Sequence, residues 1–136
     1  IACVLQDDRL FSGSIAENIS GFEVNANKEL IMACAIHSNI HDEIMQMPMG
    51  YETLIGELGN GISGGQKQRL FIARALYRRP SVLFMDEATS HLDVENELAI
   101  NRAISSLNIT RVIVAHRKST IDSADRVVAL GAASGG

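Results

Sequence analysis

The sequence predicts an α/β fold with a mainly parallel sheet, and three observations lead to this class. An apolar pattern with helical spacing runs from Ser63 to Tyr77. The short run from Val82 to Met85 is continuously apolar, which is typical of strands buried on both faces of a parallel sheet. Two carboxylates, Asp86 and Glu87, follow this run directly. Open α/β sheets bind their ligands at the carboxyl ends of strands, so the pattern predicts a functional site at this edge.

The predicted helix has a start suited to binding an anion. Ser63 and Gln66 have the spacing of a capping box, which ties the first turn of a helix to its cap. Gly64 and Gly65 carry no side chains, so a ligand could approach the backbone N–H groups at the positive end of the helix dipole. An ordinary capped helix without a ligand remains the alternative for these residues alone. A helix end follows at Arg78 to Pro80, because cations favour that end and proline cannot continue it.

The remaining elements follow from periodicity and turn signals. A strand is predicted over residues 1–6, and a helical subdomain with connecting loops over residues 12–78. Within it, a helix over 28–38 with Asn27 as its cap should bury Leu30, Ile31, Cys34 and Ala35. A short helix over 41–47 should stop at Pro48 and Gly50. Beyond Asp86, the pattern predicts a helix over 94–107 that buries Ile100, Ala103, Ile104 and Leu107, strands over 111–115 and 126–130, and a short helix over 119–123.

Composition narrows the class of function. The chain has 136 residues, 46% of them hydrophobic, and a net charge of −4, so a nucleic-acid grip built from clustered cations is not expected. The arginines of the helix are interpreted as a helix face and end: Arg69, Arg74, Arg78 and Arg79. No stretch is long and apolar enough to span a bilayer, and the first residues lack a signal-peptide pattern. Membrane association is therefore expected through a partner or through sequence outside this chain.

Cys34, His37 and His41 have part of the spacing of a zinc finger. A structural zinc site needs four ligands, and no second cysteine pair accompanies these three residues. The sequence therefore favours a buried cysteine with histidines at the surface. Two cysteines without a secretory context indicate reduced thiols in the cytoplasm.

Five motifs in order resemble those of the second half of the nucleotide-binding domain of an ATP-binding cassette (ABC) transporter. The segment from Ile62 to Gln66 resembles the family signature, with Ile in place of the usual Leu. Val82 to Glu87 resembles Walker B with the catalytic glutamate, and Ser90 to Asp93 resembles the D-loop, with His91 replacing a small residue. His116 resembles the switch histidine, and Gln6 resembles the Q-loop glutamine. The implied fold is a partial P-loop NTPase-like domain, with a helical subdomain and part of the core sheet.

The resemblance implies an ATPase chemistry for these residues. Backbone N–H groups near Ser63 and Gly65, with the Ser63 hydroxyl, would meet the γ-phosphate of ATP, and Gly64 and Gln66 belong to the same ATP-binding segment. Glu87 would orient or deprotonate the attacking water as the catalytic base. His116 would donate a hydrogen bond to the γ-phosphate and help position that water.

The resemblance also implies a metal and a second subunit. Asp86 and Gln6 would serve the Mg²⁺ ion, and Gln6 would report the state of the metal to the helical region. Asp93 would act across a dimer of two nucleotide-binding domains, in which ATP is sandwiched between one subunit's Walker A and the other's signature.

Further segments resemble exporters within this family. The segment from Leu10 to Ile19, with its Glu-Asn-Ile ending, follows the Q-loop in exporter cassettes, and Thr53 to Gly59 resembles the exporter X-loop. Glu57 would face the coupling helices of a transmembrane domain, which the Q-loop also contacts. Leu5 to Phe11 and Met47 to Leu54 resemble the peptidase-containing exporters of bacteriocins, of the colicin V type. The implied activity is ATP hydrolysis that powers export of a peptide from the cytoplasmic face of the bacterial inner membrane.

A Walker A phosphate loop is missing from the sequence. That loop needs a lysine after glycine, whereas Lys28, Lys67 and Lys118 follow Asn, Gln and Arg. We therefore expect a fragment that lacks the Walker A half and is inactive alone. Its parts would be the Q-loop strand and loop (1–11), the helical subdomain with the signature (12–78) and the core part with Walker B, the D-loop and the switch histidine (79–136). The peptide substrate would be contacted by domains outside this chain. Two alternatives remain open: a soluble ABC-type ATPase of DNA maintenance or translation, and a non-catalytic interaction fragment.

Overall fold

The structure, a computed structural model, describes residues 2–4, 9–56, 61–86 and 93–114. These residues form a three-stranded parallel sheet, a group of helices and a small second sheet. In chain order the elements are β1 (Ala2–Val4), β2 (Gly13–Ser14), α1 (Ile15–Ser20), α2 (Lys28–His37), α3 (His41–Gln46), a 3₁₀ turn (Gly50–Glu52), β3 (Leu54–Ile55), α4 (Gly64–Tyr77), β4 (Val82–Asp86), α5 (Val94–Ser105) and β5 (Thr110–Val114). Within these ranges no helix is both long and apolar enough to cross a bilayer.

The strand β4 lies at the centre of the parallel sheet, between β1 and β5. Leu83 pairs with Ala2 on one side and with Arg111 on the other. Parallel neighbours require crossover connections, and α5 provides the one between β4 and β5. This topology places Asp86 at the carboxyl end of the central strand.

The helix α4 packs against more of the core than any neighbouring helix that the structure describes. It packs against α1, α2 and β1, and its buried residues include Leu70, Ile72, Ala73 and Leu76. They join one apolar core with Ile15, Ile19, Ile31, Ile40, Ile44, Leu83, Ile100 and Ile104. Burying side chains of this size contributes about 1.5 to 3 kcal/mol each. The capped turn at Ser63 therefore begins a helix whose inner face is firmly packed in the core.

Local signals set the helix starts and the end of α1. Asn27 caps α2 by accepting a hydrogen bond from the Leu30 N–H at 3.1 Å. Ser14 and Glu17 form a capping box that opens α1. That helix ends at Gly21, whose φ of 66° is the left-handed conformation that glycine adopts most easily. Gly13 is required for a different reason, because a Cβ there would lie 2.8 Å from the Phe22 ring.

Most predicted elements are confirmed, with three corrections. The helix α5 ends at Ser105, so Leu107 lies beyond it and is half-buried rather than part of a helical core face. The strand β4 was predicted to be buried on both faces of a parallel sheet. It lies in such a sheet, but only Leu83 is fully buried, because the described residues cover the faces of Val82, Phe84 and Met85 incompletely. The short β2 and β3 strands were not predicted. The predicted elements at 119–123 and 126–130 lie outside the described residues.

Candidate phosphate-binding site

The start of α4 contains the capping box that the sequence predicted. The Ser63 N–H donates to Gln66 Oε1 at 3.0 Å, and the Gln66 N–H donates to Ser63 Oγ at 3.1 Å. The Lys67 N–H donates to the Ser63 carbonyl at 2.9 Å, which closes the first helical turn. These bonds hold the turn in one geometry.

The capping box decides which groups are left for a ligand. The N–H groups of Ser63 and Gln66 are both used within the cap, so the backbone donors that remain near Ser63 are those of the two glycines. The N–H groups of Gly64 and Gly65 lie in the first turn, where no helix carbonyl reaches them. Because Ser63 Oγ accepts within the cap, its hydroxyl hydrogen stays available to donate. Ser63 and Gly64 are exposed, so an anion can reach this turn from solvent.

An ion pair supports the helix start from the side. Arg69 Nη2 donates to Glu43 Oε1 at 2.9 Å, and Arg69 Nη1 is bonded to Glu43 Oε2. Gln66 Nε2 also donates to Glu43 Oε1, at 3.2 Å, so the carboxylate fixes which way the Gln66 amide points. The hydrogen bond from Arg69 lowers the pKa of Glu43 from its ordinary value of 4.5. Arg69 itself is only 4% exposed, so its charge is held within the fold rather than presented to solvent.

A polar bridge continues from Arg69 to the helix that follows the predicted D-loop. Arg69 Nη1 donates to the Asn39 carbonyl at 2.7 Å, and Asn39 Nδ2 donates to Asn96 Oδ1 at 2.8 Å. The Asn96 N–H donates to Asp93 Oδ1 at 2.8 Å, so Asp93 is the N-cap of α5. The start of α4 and the start of α5 are thus joined by hydrogen bonds through the turn between α2 and α3.

The structure places some of the predicted site residues and not others. Ser63, Gly64, Gly65 and Gln66 lie together at the start of α4, and Asp93 lies at the start of α5. Asp86 is the last residue of β4, at the predicted edge of the sheet. Other predicted residues lie outside the described part of the chain: Gln6, Glu57, Glu87, His91 and His116.

A groove of about 400 Å³ lies on another face of the helical region. Its lining includes the arginines Arg9, Arg74 and Arg78 and the phenylalanines Phe11 and Phe22. The two rings meet edge to face with centroids 6.4 Å apart, and Arg74 Nη1 donates to the Arg9 carbonyl at 2.7 Å. Buried Asn18 holds the adjoining chain through three hydrogen bonds to Phe11 and Ser14.

The Cys34 region is structural in the described part of the chain. Cys34 is buried, as predicted, and burial raises the pKa of its thiol to about 11, so it is protonated at neutral pH. His37 and His41 are half-buried rather than fully at the surface, and His41 Nδ1 lies 2.6 Å from the Tyr51 hydroxyl. Among the described residues no group of three His, Cys, Asp or Glu side chains has the placement of a metal site.

Sequence reasoning missed the supporting residues of this site. Glu43, Asn39 and Asn96 carry no motif of their own, and the side chains that they bond across the fold lie 23 to 57 positions away in the chain. A local pattern cannot identify such pairs. One signal was available for Arg69, since its spacing from Leu70, Ala73 and Leu76 places it beside the buried face of α4.

Comparison with known proteins decides the family. A profile of the family described as ABC transporter matches residues 1–90. The chain belongs to the ABC transporter family.

Individual ABC transporter relatives agree with this assignment. The chain is 65% identical over 130 residues to the probable microcin-H47 secretion/processing ATP-binding protein MchF of Escherichia coli. This match covers 96% of this chain and 19% of the relative. It is 66% identical over 130 residues to the colicin V secretion/processing ATP-binding protein CvaB of the same species, with the same coverage. The chain therefore spans about a fifth of the length of these relatives.

A solved ABC transporter structure confirms the predicted fold class. A bacterial Atm1-family ABC exporter with ATP bound superposes with a TM-score of 0.84 at 39% identity. The match covers 91% of this chain and 22% of that chain.

Proposed function

We propose that this chain is part of an exporter ATPase that hydrolyses ATP to move a bacteriocin-like peptide across the bacterial inner membrane. The observation that carries the proposal is the start of α4, where a rigid capped turn presents the N–H groups of Gly64 and Gly65 and the Ser63 hydroxyl to solvent. The secretion ATP-binding proteins that the chain resembles support the same activity and the peptide class of substrate.

The start of α4 would bind the γ-phosphate of an ATP molecule held by a second nucleotide-binding domain. Two backbone N–H groups and one hydroxyl would donate hydrogen bonds to its oxygens, at the positive end of the α4 dipole. Donors that are already oriented stabilise charge as it develops during phosphoryl transfer. Gln66 would act through the cap, holding Ser63 rather than contacting the phosphate.

Hydrolysis would take place at the other half-site, near the carboxyl end of β4. Glu87 would orient or deprotonate the attacking water, and His116 would donate to the γ-phosphate. Asp86 at the end of β4 and Gln6 after β1 would serve Mg²⁺, which prefers oxygen ligands and neutralises phosphate charge when bound. Because β1 and β4 are parallel neighbours, their carboxyl ends lie at the same edge of the sheet.

The transmembrane domain would contact the helical region. We propose that the coupling helices of the transmembrane domain contact the Q-loop segment and the Glu57 region on the cytoplasmic face of the membrane. Gln6 of the Q-loop lies three positions before Arg9, which lines the groove described above. The cationic and aromatic lining of the adjoining groove supports a contact with a polypeptide segment there. Asp93 would act across the dimer from the start of α5.

The decisive test of the ATPase proposal is Glu87→Gln in the full-length exporter. Removing a positioned general base should lower ATP turnover by about 10²- to 10⁴-fold. Binding of ATP should stay near that of the wild type, because the substitution keeps the size of the side chain. Turnover is measured by phosphate release and binding by a fluorescent ATP analogue.

Glu95→Gln is the matched control for this variant. Glu95 is an exposed carboxylate in the first turn of α5, and its loss should leave turnover unchanged. Glu87→Gln protein that still turns over ATP at the wild-type rate would show that another group is the base.

A further inference from the structure

The hydrogen bond between Asn39 and Asn96 joins two parts of the fold that are distant in sequence. Asn39 lies in the turn between α2 and α3, and Asn96 lies in the first turn of α5. Their side chains meet at 2.8 Å over a separation of 57 residues. This bond therefore fixes the helical group against the helix that follows the central strand.

Asn39 is placed for this role by its backbone. Its φ of 59° is the left-handed conformation, which Asn tolerates better than most residues. The conformation lets the carbonyl accept from Arg69 Nη1 at 2.7 Å while the amide reaches Asn96. One residue thus bonds α4 through its backbone and α5 through its side chain.

Both ends of the bridge reach a capped helix start. Arg69 is bonded to Glu43, and Glu43 accepts from Gln66 Nε2 within the capping box of α4. At the other end, the Asn96 N–H donates to the cap residue Asp93. A shift of either helix start would stretch or break the hydrogen bonds of the same chain.

We propose that the Asn39–Asn96 bridge is a positioning device that makes the phosphate-binding start of α4 and Asp93 move as one unit. The inference rests on the proposed function, in which the first of these elements binds ATP and the second acts across the dimer. Closure of the first onto a phosphate then sets the position of Asp93. Asn39 and Asn96 touch no substrate, so their loss weakens closure while leaving the chemistry intact.

The test is a double-mutant cycle in the full-length exporter. Asn39→Gly removes the amide, keeps the carbonyl for Arg69 and tolerates the positive φ. Asn96→Ala removes the acceptor and favours the helix. Each single variant should raise the KM for ATP by about 2- to 12-fold, the worth of one hydrogen bond, with kcat within about twofold of the wild type. The double variant should be no worse than either single one, because all three break the same bond.

Asn25→Gly is the matched control for Asn39→Gly. Asn25 is also exposed and left-handed, with a φ of 60°, but it lies in the loop before α2. Its substitution should leave the KM unchanged. Additive effects in the double variant, equal effects of Asn25→Gly, or an unchanged KM in both single variants would overturn the inference.

A second measurement separates this inference from the proposed function. Hydrogen exchange of the full-length protein without nucleotide should be faster at the Gln66 and Lys67 amides in Asn96→Ala, because both amides are protected by the cap at Ser63, although Asn96 belongs to another helix. A wild-type protein that hydrolyses no ATP contradicts the proposed function, while the bridge is still judged by this exchange. Unchanged exchange at the Gln66 and Lys67 amides overturns the bridge whatever the ATPase result.

Discussion

At the scale of single residues, Glu43 is the most informative side chain that no motif identified. It accepts hydrogen bonds from both Arg69 and Gln66, and so orients a residue of the capping box. A carboxylate this near an anion site would repel phosphate if it were unpaired. The nearly buried guanidinium of Arg69 offsets that charge, so the start of α4 remains suited to an anion.

The pKa of Glu43 predicts a pH dependence of stability. Because Arg69 lowers this pKa in the folded protein, the carboxylate contributes stability above about pH 4.5 that is lost as the pH falls through the lowered folded value. Glu43→Gln should therefore lower the free energy of unfolding by about 1 kcal/mol near neutral pH, a modest value because Glu43 is partly exposed. The loss should be smaller at about pH 3, because the wild-type carboxylate is then increasingly protonated. The measurement is urea unfolding of the complete nucleotide-binding domain followed by circular dichroism.

Asp42→Asn is the control for that measurement. Asp42 is the exposed neighbour of Glu43 in the first turn of the same short helix, so both variants lose a carboxylate from one place on α3. We expect the control to lose less stability than Glu43→Gln near neutral pH, because it keeps the pair of Glu43 with Arg69. A Glu43→Gln profile that runs parallel to the wild type from pH 7 to about pH 3 would rule out the paired carboxylate as its cause.

At the scale of elements, the two capping boxes allow a structural role to be separated from a binding role. Ser14 caps α1 and Ser63 caps α4 through the same pair of hydrogen bonds. Ser14→Ala and Ser63→Ala should each lower the free energy of unfolding by about 1 kcal/mol, the usual worth of a cap. Only Ser63→Ala should also raise the KM for ATP, because only that hydroxyl faces the proposed phosphate.

The comparison is made by steady-state ATP turnover of the two full-length variants beside their thermal unfolding. Ser63→Thr should restore both the cap and the KM, since threonine keeps the hydroxyl. If Ser14→Ala raises the KM as much as Ser63→Ala does, the effect comes from general loss of helix stability.

The helix starts were readable from sequence because capping is local. Ser63 with Gln66, and Asn27 before α2, need only residues three positions apart. The two-residue strands β2 and β3 were not readable, because Gly13 and Ile55 pair across more than forty residues and carry no alternating pattern. The end of α5 was misplaced for a similar reason: Leu107 fits the helical period, but the chain already turns at Ser106.

At the scale of the whole molecule, the fold class and the capped start of α4 were predictable from the sequence, whereas the tertiary contacts that support this turn were not. The apolar run of β4 and a crossover helix made a parallel sheet predictable, whereas the order β1, β4, β5 is known only from the structure. The pairs of Arg69 with Glu43 and of Asn39 with Asn96 depend on how the helices pack, which no short window of sequence contains. The supporting residues could be found only in three dimensions.

The division of the proposed site between two subunits predicts how the 136-residue chain behaves alone. It carries the start of α4 and the end of β4, which in the proposed dimer serve different ATP molecules, and the sequence contains no Walker A motif. Equilibrium dialysis of the isolated chain with ATP should therefore show no tight binding, because each half-site lacks its other half. Micromolar or tighter binding by this chain would contradict the proposed arrangement.

The two ends of α4 are both tied down. Glu43 and Asn39 hold Arg69 near its start, while the Tyr77 hydroxyl at its last residue donates to Glu23 and accepts from the Asn27 N–H at 2.9 Å. A straight helix of 14 residues is about 21 Å long and resists compression along its axis. In the proposed function, a displacement of Ser63 on binding phosphate would therefore be transmitted along the helix axis to Arg74 and Arg78, which line the groove.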